Sequence, residues 1–334
     1  MMQYFTEINI PEFPEKIDHS SKIIMMGSCF TENVGLKLEQ LKFNIEINPF
    51  GILYNPISVA NSIKILLNQR LFNGDDLFFR DGLWHSFAHH GKFSGNEKET
   101  VLENINARIK KSSRLLREAD FLFLTFGTAW VYELKATGQV VANCHKVPAG
   151  EFRRFRLPVN NITEVYQSLL EELWLANPKL KIIFTVSPVR HWKDGAPGNQ
   201  VSKATLIVAI DNIVGSFDNF PCWYFPSYEI VMDELRDYRF FADDMLHLSD
   251  VAVVHIYKKF ESGLITEDSR KISDEIINIQ KAINHRPFNK NTPEFKKFIT
   301  KGLKKVNSLM KKHPYLNLLS EKEYFEKQLG GIKT

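Results

Sequence analysis

Five short apolar runs alternate with amphipathic stretches along the first 226 residues, and this alternation restricts the chain to few folds. Alternating strands and helices form a parallel sheet with helices on both faces. Strands as continuously apolar as these are buried on both sides. The sequence therefore predicts an α/β protein, a three-layer α/β/α domain built on a five-stranded parallel, flavodoxin-like sheet. The strands are expected at 22–27, 43–47, 120–127, 179–186 and 222–226, with helices at about 31–42, 56–70, 97–118, 161–176 and 201–217.

Two insertions and a helical tail complete the predicted architecture. Residues 72–94 lack helical periodicity, whereas residues 130–145 contain a turn at 136–138 and predict a β-hairpin. After about residue 264 only helical patterns remain, so we divide the chain into an α/β domain at 1–264 and a helical extension at 265–334. An apolar stripe in the extension is expected to pack on the chain's own helices, with lysines on the opposite side. The stripe includes Phe295, Phe298, Ile299, Val306 and Leu309, and the lysines are Lys297, Lys304, Lys305 and Lys311.

Candidate reactive residues follow the predicted strands. Ser28 comes after the first strand, and Asp244 and His247 follow the last one. The carboxyl ends of parallel strands meet at one edge of the sheet, where ligands bind. A serine hydroxyl needs a neighbouring base that a third group orients. We therefore predict acyl transfer with Ser28 as nucleophile, His247 as general base and Asp244 as the residue that orients the imidazole.

Each of these assignments has an alternative. Ser28 can instead cap the helix that follows it. Cys29 is a rival nucleophile, although a small buried hydrophobic residue is the commoner role of such a cysteine. Asp243 can replace Asp244, but the spacing to His247 favours Asp244.

Several motifs resemble a known family. Gly27–Phe30 is similar to the signature of the GSCFA family, and Asp244-x-x-His247 resembles the last block of SGNH-type hydrolases, the esterases and lipases to which GSCFA proteins are related. The resemblance covers about residues 20–260 and makes residues 1–264 an SGNH-like catalytic domain. It implies a serine esterase for small O-acyl esters such as O-acetylated carbohydrates, or else an O-acyltransferase or a ligand-binding protein with little or no catalysis. Further similar segments are Asn48–Gly51, Thr125–Thr128, Asn143–His145, Ser187–Arg190 and Arg239–Asp244.

The chain departs from this pattern at the oxyanion hole. Position 31 is Thr where the family name has Ala, and no Asn stands three residues after Gly127, where SGNH enzymes have an oxyanion donor. The expected oxyanion donors are the backbone N–H groups of Ser28 and Gly51, with Asn143 or the Thr128 hydroxyl as the third. The substrate pocket is expected to include Trp84, His85, Trp130, His145 and Arg190.

Other functions find little support in the sequence. There is no phosphate-binding glycine loop, so we expect no nucleotide cofactor. The histidines at 85, 89 and 90 lie among glycines and lack a carboxylate at ligand spacing, so we expect no metal. The basic tail, with twelve Lys and Arg against four Glu from residue 286 onward, lacks a nucleic-acid-binding motif. A small-molecule ester is therefore the expected partner, and the sequence does not indicate the oligomeric state.

Cysteine usage and hydropathy bear on location. Three widely spaced cysteines without a CxxC pair are typical of a reducing compartment. The first residues do not resemble a signal peptide, and no apolar run reaches about 18 residues. The sequence therefore predicts a cytoplasmic protein without a transmembrane segment.

Overall fold

The computed structural model describes residues 6–330, which contain ten β-strands and ten α-helices. The strands are β1 Lys22–Gly27, β2 Asn44–Ile47, β3 Phe78–Arg80, β4 Leu83–His85, β5 Phe121–Phe126, β6 Trp130–Leu134, β7 Gln139–Val141, β8 Phe152–Arg156, β9 Lys181–Val186 and β10 Cys222–Tyr224. The helices are α1 Cys29–Gln40, α2 Pro56–Leu67, α3 Lys98–Glu118, α4 Val159–Ala176, α5 Gly195–Gly215, α6 Ser227–Glu229, α7 Asp250–Leu264, α8 Glu267–Asn284, α9 Pro293–Lys312 and α10 Leu319–Gly330.

The chain divides into two compact units. The first comprises the chain up to Phe13 together with Lys22–Leu36 and Ile45–Gly263. The second comprises Pro14–Ser21, Lys37–Asn44 and the chain from Leu264 onward. The second unit therefore includes two N-terminal segments besides the helical extension that the sequence delimits. Within residues 6–330, no helix combines the length and the apolar character that a membrane span requires.

The first unit contains the predicted five-stranded sheet. Its strand order is β10-β9-β5-β1-β2, which is the flavodoxin-like order, and the sheet is parallel. Met25 pairs with Phe123, and Phe123 pairs with Ile183, so the central strands are in register. The predicted fold class is confirmed.

Helices cover both faces of this sheet. Leu122, Leu124 and Phe126 of β5 belong to the apolar cluster that α2–α5 also contribute to. Phe123 points to the opposite face, where its ring lies 5.4 Å from that of Phe260 in α7. Since every residue of β5 is buried, its sequence is apolar at every position except Thr125.

Helix α5 begins six residues earlier than its periodicity predicts. Its first residues include Gly195, Pro197 and Gly198, which a sequence pattern marks as breakers. Proline is tolerated in the first turn because the N–H groups there have no intrahelical partner. The earlier start places the inward-facing positions from Asn199 onward in a regular helix beside the ends of the strands.

The insertions are small antiparallel sheets. β3 and β4 pair within residues 72–94. The predicted hairpin is formed by β6 and β7, and β8 pairs with the other side of β6. The backbone N–H of Ala142 donates to the carbonyl of Phe87, so the two insertions contact each other.

In the second unit, the apolar stripe of α9 is covered by the chain itself. Ile299 and Val306 are buried, and α9 packs closely on α10, because a Cβ at Gly302 would lie 2.4 Å from a ring atom of Phe325. Phe298 is the exception to the predicted stripe, with 37% of its surface exposed beside the ring of His285. The four lysines named in the sequence analysis are exposed.

Candidate active site

Ser28 lies at the carboxyl end of β1, between Gly27 and the first turn of α1. Gly27 has a φ of 139°, and a Cβ at this position would lie 2.1 Å from the carbonyl oxygen of Thr125, so the end of β1 requires glycine. The Ser28 side chain is 1% exposed, and its hydroxyl has no hydrogen-bond partner among the described residues. The alternative in which this hydroxyl caps α1 is therefore wrong for this structure.

Asn48 is the functional candidate that the sequence analysis missed. It follows β2 with a φ of 44°, and its Oδ1 accepts a hydrogen bond of 2.8 Å from the N–H of Gly27, next to Ser28. The residue is 1% exposed, and no described residue accepts a hydrogen bond from its Nδ2. A buried amide donor without a partner is costly, so this group is a candidate for binding a ligand. The sequence did contain a sign of this role, since Asn48 is the first residue of Asn48–Gly51, one of the segments that resemble the GSCFA family.

The backbone donors expected for an oxyanion hole are occupied. The N–H of Ser28 donates to the carbonyl of Thr125 at 3.3 Å. The N–H of Gly51 donates to the carbonyl of Asn48 at 2.7 Å, within the turn that follows β2. In this structure, neither N–H is free to face a developing negative charge.

The side chains expected as the third donor also have local partners. Asn143 accepts a hydrogen bond from the backbone N–H of His145 at 2.9 Å, so it caps a turn. The Thr128 hydroxyl lies 3.1 Å from that of Ser202 and accepts from the N–H of Trp130. Both side chains therefore stabilise the loops on which they lie.

Asp244 and His247 form a hydrogen-bonded pair on a folded-back loop. Asp244 Oδ1 accepts from the backbone N–H groups of Leu246 and His247, each at 2.9 Å. Its Oδ2 lies 2.5 Å from His247 Nδ1. The hydrogen bond with the His247 ring and those from the two backbone groups lower the pKa of Asp244 to about 2. The carboxylate is thus ionised at neutral pH and fixes Nδ1, which leaves Nε2 for another partner.

The expected hydrogen bond between Ser28 and His247 is absent from the structure. The Ser28 hydroxyl has no partner, and the His247 side chain is 56% exposed. Arg190 Nη2 donates to the carbonyl of Met245, so the loop that carries His247 is tied to the segment after β9. His247 also interacts electrostatically with His191, in that same segment. His247 therefore lies on the rim side of the sheet, where strands β1 and β9 both end.

Arg190 contacts the loop that carries His247 and also borders a cavity. Its guanidinium lies 5.0 Å from the ring of Trp192 and 4.8 Å from that of Phe241, besides bonding the Met245 carbonyl. These contacts make it an anchor of the Asp244–His247 loop. It also borders a cavity of about 290 Å³, lined by Arg190, Trp192, Asn199, Gln200, Tyr238 and Phe241 among others.

The other expected pocket residues stabilise the insertions. His85 lies 2.7 Å from the Ser94 hydroxyl. The His145 ring contacts the carbonyl of Ser86 and lies 4.6 Å from the His85 ring, tilted by 36°. Lys98 lies over the ring of Trp84, and Arg154 lies over that of Trp130. None of the contacts described for residues 6–330 joins these four residues to Ser28 or His247. The described residues also contain no group of three or more His, Cys, Asp or Glu that is suited to a metal ion.

Buried neutral histidines predict acid sensitivity. Burial lowers the pKa of His89 to about 3 and that of His19 to about 4. Between these values and about 6.5, the unfolded chain binds protons that the folded chain does not, so stability rises with pH and falls on acidification. Each histidine is expected to cost about 1.4 kcal/mol for each pH unit below 6.5. Urea unfolding at pH 7 and pH 5 measures this loss. His89→Phe should reduce the difference between the two, and an unchanged difference would contradict the assignment.

Comparison with known proteins identifies the family. The family model described as "GSCFA family" matches residues 22–260, and the model described as "GSCFA domain protein, C-terminal domain" matches residues 276–330. The chain therefore belongs to the GSCFA family.

Two solved structures are similar to the chain at low identity. One is a carbohydrate esterase family 3 protein from Talaromyces cellulolyticus, with 10% identity, a TM-score of 0.36 and coverage of 77% of this chain and 99% of that one. The other is the acetyl xylan esterase Est2A from the rumen bacterium Butyrivibrio proteoclasticus, with 10% identity, a TM-score of 0.36 and coverage of 73% and 64%. No curated protein is similar enough to match the chain.

Proposed function

We propose that this protein is a serine esterase that hydrolyses small O-acyl esters through an acyl-enzyme on Ser28. The observation that carries the proposal is a buried serine hydroxyl without a partner, on the same rim as a hydrogen-bonded Asp–His pair. A buried hydroxyl normally finds a partner, and an unpaired one is a candidate reactive group. Asp244 holds Nδ1 of His247, which leaves Nε2 to act as the base.

The reaction proceeds in two steps. Ser28 Oγ attacks the acyl carbon while its proton passes to His247 Nε2, and the carbonyl π electrons move onto the oxygen. The tetrahedral intermediate collapses, the ester C–O bond breaks, and the alcohol leaves with the proton from Nε2. Water then attacks the acyl-enzyme, with His247 again taking a proton, and the collapse releases the carboxylic acid and restores Ser28.

Proton transfer from Ser28 to His247 requires the imidazole to approach the hydroxyl. Catalytic hydrogen bonds are often long in the free enzyme and shorten when substrate binds. Most of the loop from Asp244 to His247 is exposed. It is closed by backbone hydrogen bonds of Ala242 with Met245 and His247, and its contact with Arg190 ties it to the segment after β9. We propose that substrate binding brings this loop over Ser28.

Asn48 replaces the expected backbone donors of the oxyanion hole in this proposal. Its Oδ1 is held by the N–H next to Ser28, and this fixes its Nδ2 near the nucleophile with hydrogen-bonding capacity to spare. An amide side chain that donates to the developing oxyanion contributes about 100- to 1,000-fold in rate.

The cavity beside Arg190 is proposed as the site for the alcohol part of the substrate. Trp192 and Tyr238 offer aromatic faces, and Asn199 and Gln200 offer amide groups. Aromatic faces combined with a few hydrogen-bonding groups suit a carbohydrate ring. An O-acetylated carbohydrate is therefore the proposed substrate class.

Trapping the acyl-enzyme tests the proposal. Acid quenching during turnover of p-nitrophenyl acetate, followed by peptide mass spectrometry, is expected to locate an acetyl group on Ser28. Asn48→Asp, which keeps the Oδ acceptor for Gly27, should form this adduct more slowly. Acetylation only of lysines, at equal rates in wild type and Ser28→Ala, would refute the proposal.

One observation favours a second candidate, a ligand-binding protein without efficient catalysis. Both expected backbone oxyanion donors, at Ser28 and Gly51, already donate within the fold. If the acyl-enzyme never forms, O-acetylated sugars that bind wild type but not Trp192→Ala would favour this candidate.

A further inference from the structure

A lysine with no part in the proposed mechanism lies fully buried beside the rim. Lys203 is 0% exposed, and no carboxylate of the described residues forms an ion pair with it. Its Nζ donates to the carbonyl of Gly127 at 2.7 Å and to that of Ser187 at 2.5 Å. These two residues directly follow β5 and β9, so the ammonium group links the carboxyl ends of neighbouring strands.

Helix α5 supplies this lysine from its apolar side. The buried positions of the helix include Lys203, Leu206, Ile210 and Ile213, at three- and four-residue spacing. A lysine on such a stripe is costly, because an isolated buried charge is poorly solvated. Burial of a charge without an acidic partner therefore calls for a function other than stability.

The ammonium group of Lys203 lies close to the segment that contains Ser28 and Cys29. A Cβ at Gly127 would lie 3.5 Å from the Cβ of Ser28, and the carbonyl of that same Gly127 accepts from Lys203. Lys203 also interacts electrostatically with Cys29, the residue after Ser28. Positive charge at Lys203 thus acts on the segment where the acyl-enzyme would form.

We propose that Lys203 is an electrostatic positioning residue of the Ser28 site. Its buried ammonium group holds the ends of β5 and β9 in place and favours negative charge at Ser28 and Cys29. The part of this proposal that concerns the tetrahedral anion rests on the proposed esterase function, whereas the effect on Cys29 does not. The positive charge of Lys203 partly replaces the asparagine that is absent three residues after Gly127.

The groups that face Lys203 allow its charge to be followed by pH. They are Cys29 from α1, Tyr228 from α6 and His191 from the segment after β9. Burial raises the pKa of Tyr228 and lowers that of His191 to about 4, so both stay neutral from pH 6 to 9. Burial also lowers the pKa of Lys203 to about 7. Between pH 6 and 9 the lysine is therefore the group in this cluster that loses charge.

The test compares wild type, Lys203→Met and Ser202→Ala. Ser202 is the matched control, since its hydroxyl accepts from the N–H of Ala129 at 2.8 Å, so the variant perturbs the same strand end without changing charge. The first readout is the rate of iodoacetamide alkylation of Cys29, resolved from the other cysteines by peptide mass spectrometry. The second is the rate of Ser28 modification by a fluorophosphonate. Thermal unfolding confirms that all three proteins are folded.

The expected signature is a ratio of rates that depends on pH. At pH 6, wild type should react about 3- to 10-fold faster than Lys203→Met at Cys29, and about 10- to 100-fold faster at Ser28. At Cys29 the ratio should approach one at pH 9, because the lysine is then neutral. The ratio for Ser202→Ala should not change with pH.

The outcomes separate this proposal from the esterase assignment. The signature at Cys29 without any modification of Ser28 in wild type would overturn the esterase assignment and support the electrostatic effect of Lys203. Equal Ser28 and Cys29 rates in wild type and Lys203→Met at pH 6 would overturn the Lys203 proposal alone. A ratio of Cys29 alkylation rates, wild type over Lys203→Met, that is constant from pH 6 to 9 would also overturn the Lys203 proposal, because a purely structural role predicts that result.

Discussion

Replacing Ser28 with alanine is expected to remove nearly all ester hydrolysis, by roughly 10³-fold or more. His247→Ala should cost about as much, and the double variant should be little worse than either single one, because nucleophile and base act as one unit. Initial rates with p-nitrophenyl acetate at pH 7.5 measure the three losses. Asp244→Asn should lose somewhat less, since it keeps a hydrogen-bonding group beside Nδ1 but not the charge.

The matched control is the neighbouring cysteine. Cys29→Ser changes the rival nucleophile and leaves the Ser28 hydroxyl in place, so it should retain most of the activity. Loss of activity in Cys29→Ser, with activity retained in Ser28→Ala, would show that the nucleophile has been misassigned. Additive losses in the Ser28 and His247 variants would show that the two residues do not act together.

Replacing Asn48 with aspartate is expected to lower kcat by about 100- to 1,000-fold, with a smaller effect on KM. The carboxylate keeps an acceptor for the N–H of Gly27 and removes the Nδ2 donor, so the oxyanion contact is lost. Its negative charge at this buried position also lowers stability. Steady-state kinetics with p-nitrophenyl acetate, together with thermal unfolding, separate these two effects.

Asn143→Ala distinguishes the structure-based assignment from the one made from sequence. Asn143 caps the turn at His145, so its loss should affect stability more than kcat. A larger fall in kcat for Asn143→Ala than for Asn48→Asp would mean that the hairpin, and not the turn after β2, supplies the oxyanion donor.

The sheet was predictable because it depends on long apolar runs. Strands such as β5 are buried along their whole length, so their residues are almost all apolar, whereas surface elements alternate apolar and polar residues. The position of Ser28 follows from the same pattern, since the residue after β1 must lie at the rim. The helix boundary at Gly195 was less predictable, because proline and glycine in a first turn resemble a loop.

The hydrogen bonds of the site were not predictable from sequence. Whether the N–H of Gly51 is free depends on the turn geometry after β2, where Asn48 has a positive φ. Whether Arg190 meets a substrate or a backbone carbonyl depends on where the loop around residue 245 folds. Motifs identify which residues lie near a rim, but the partner of each polar group is decided by tertiary contacts.

Lys203 shows the opposite situation, since its signal was in the sequence and was missed. It occupies a position in phase with Leu206, Ile210 and Ile213, where an amphipathic helix normally has an apolar residue. A charged residue on the buried face of a helix is more often functional than a charged residue on the exposed face. Such a lysine can be found in a sequence by asking whether it is spaced three or four residues from the apolar residues of its predicted helix.

The most direct test of the esterase proposal is modification by a fluorophosphonate, with the adduct located by peptide mass spectrometry. The proposal predicts one adduct, on Ser28, that forms much more slowly in His247→Ala and is absent in Ser28→Ala. Full recovery of unmodified Ser28 after prolonged exposure of folded protein, or an adduct on another serine that leaves Ser28 free, would contradict it.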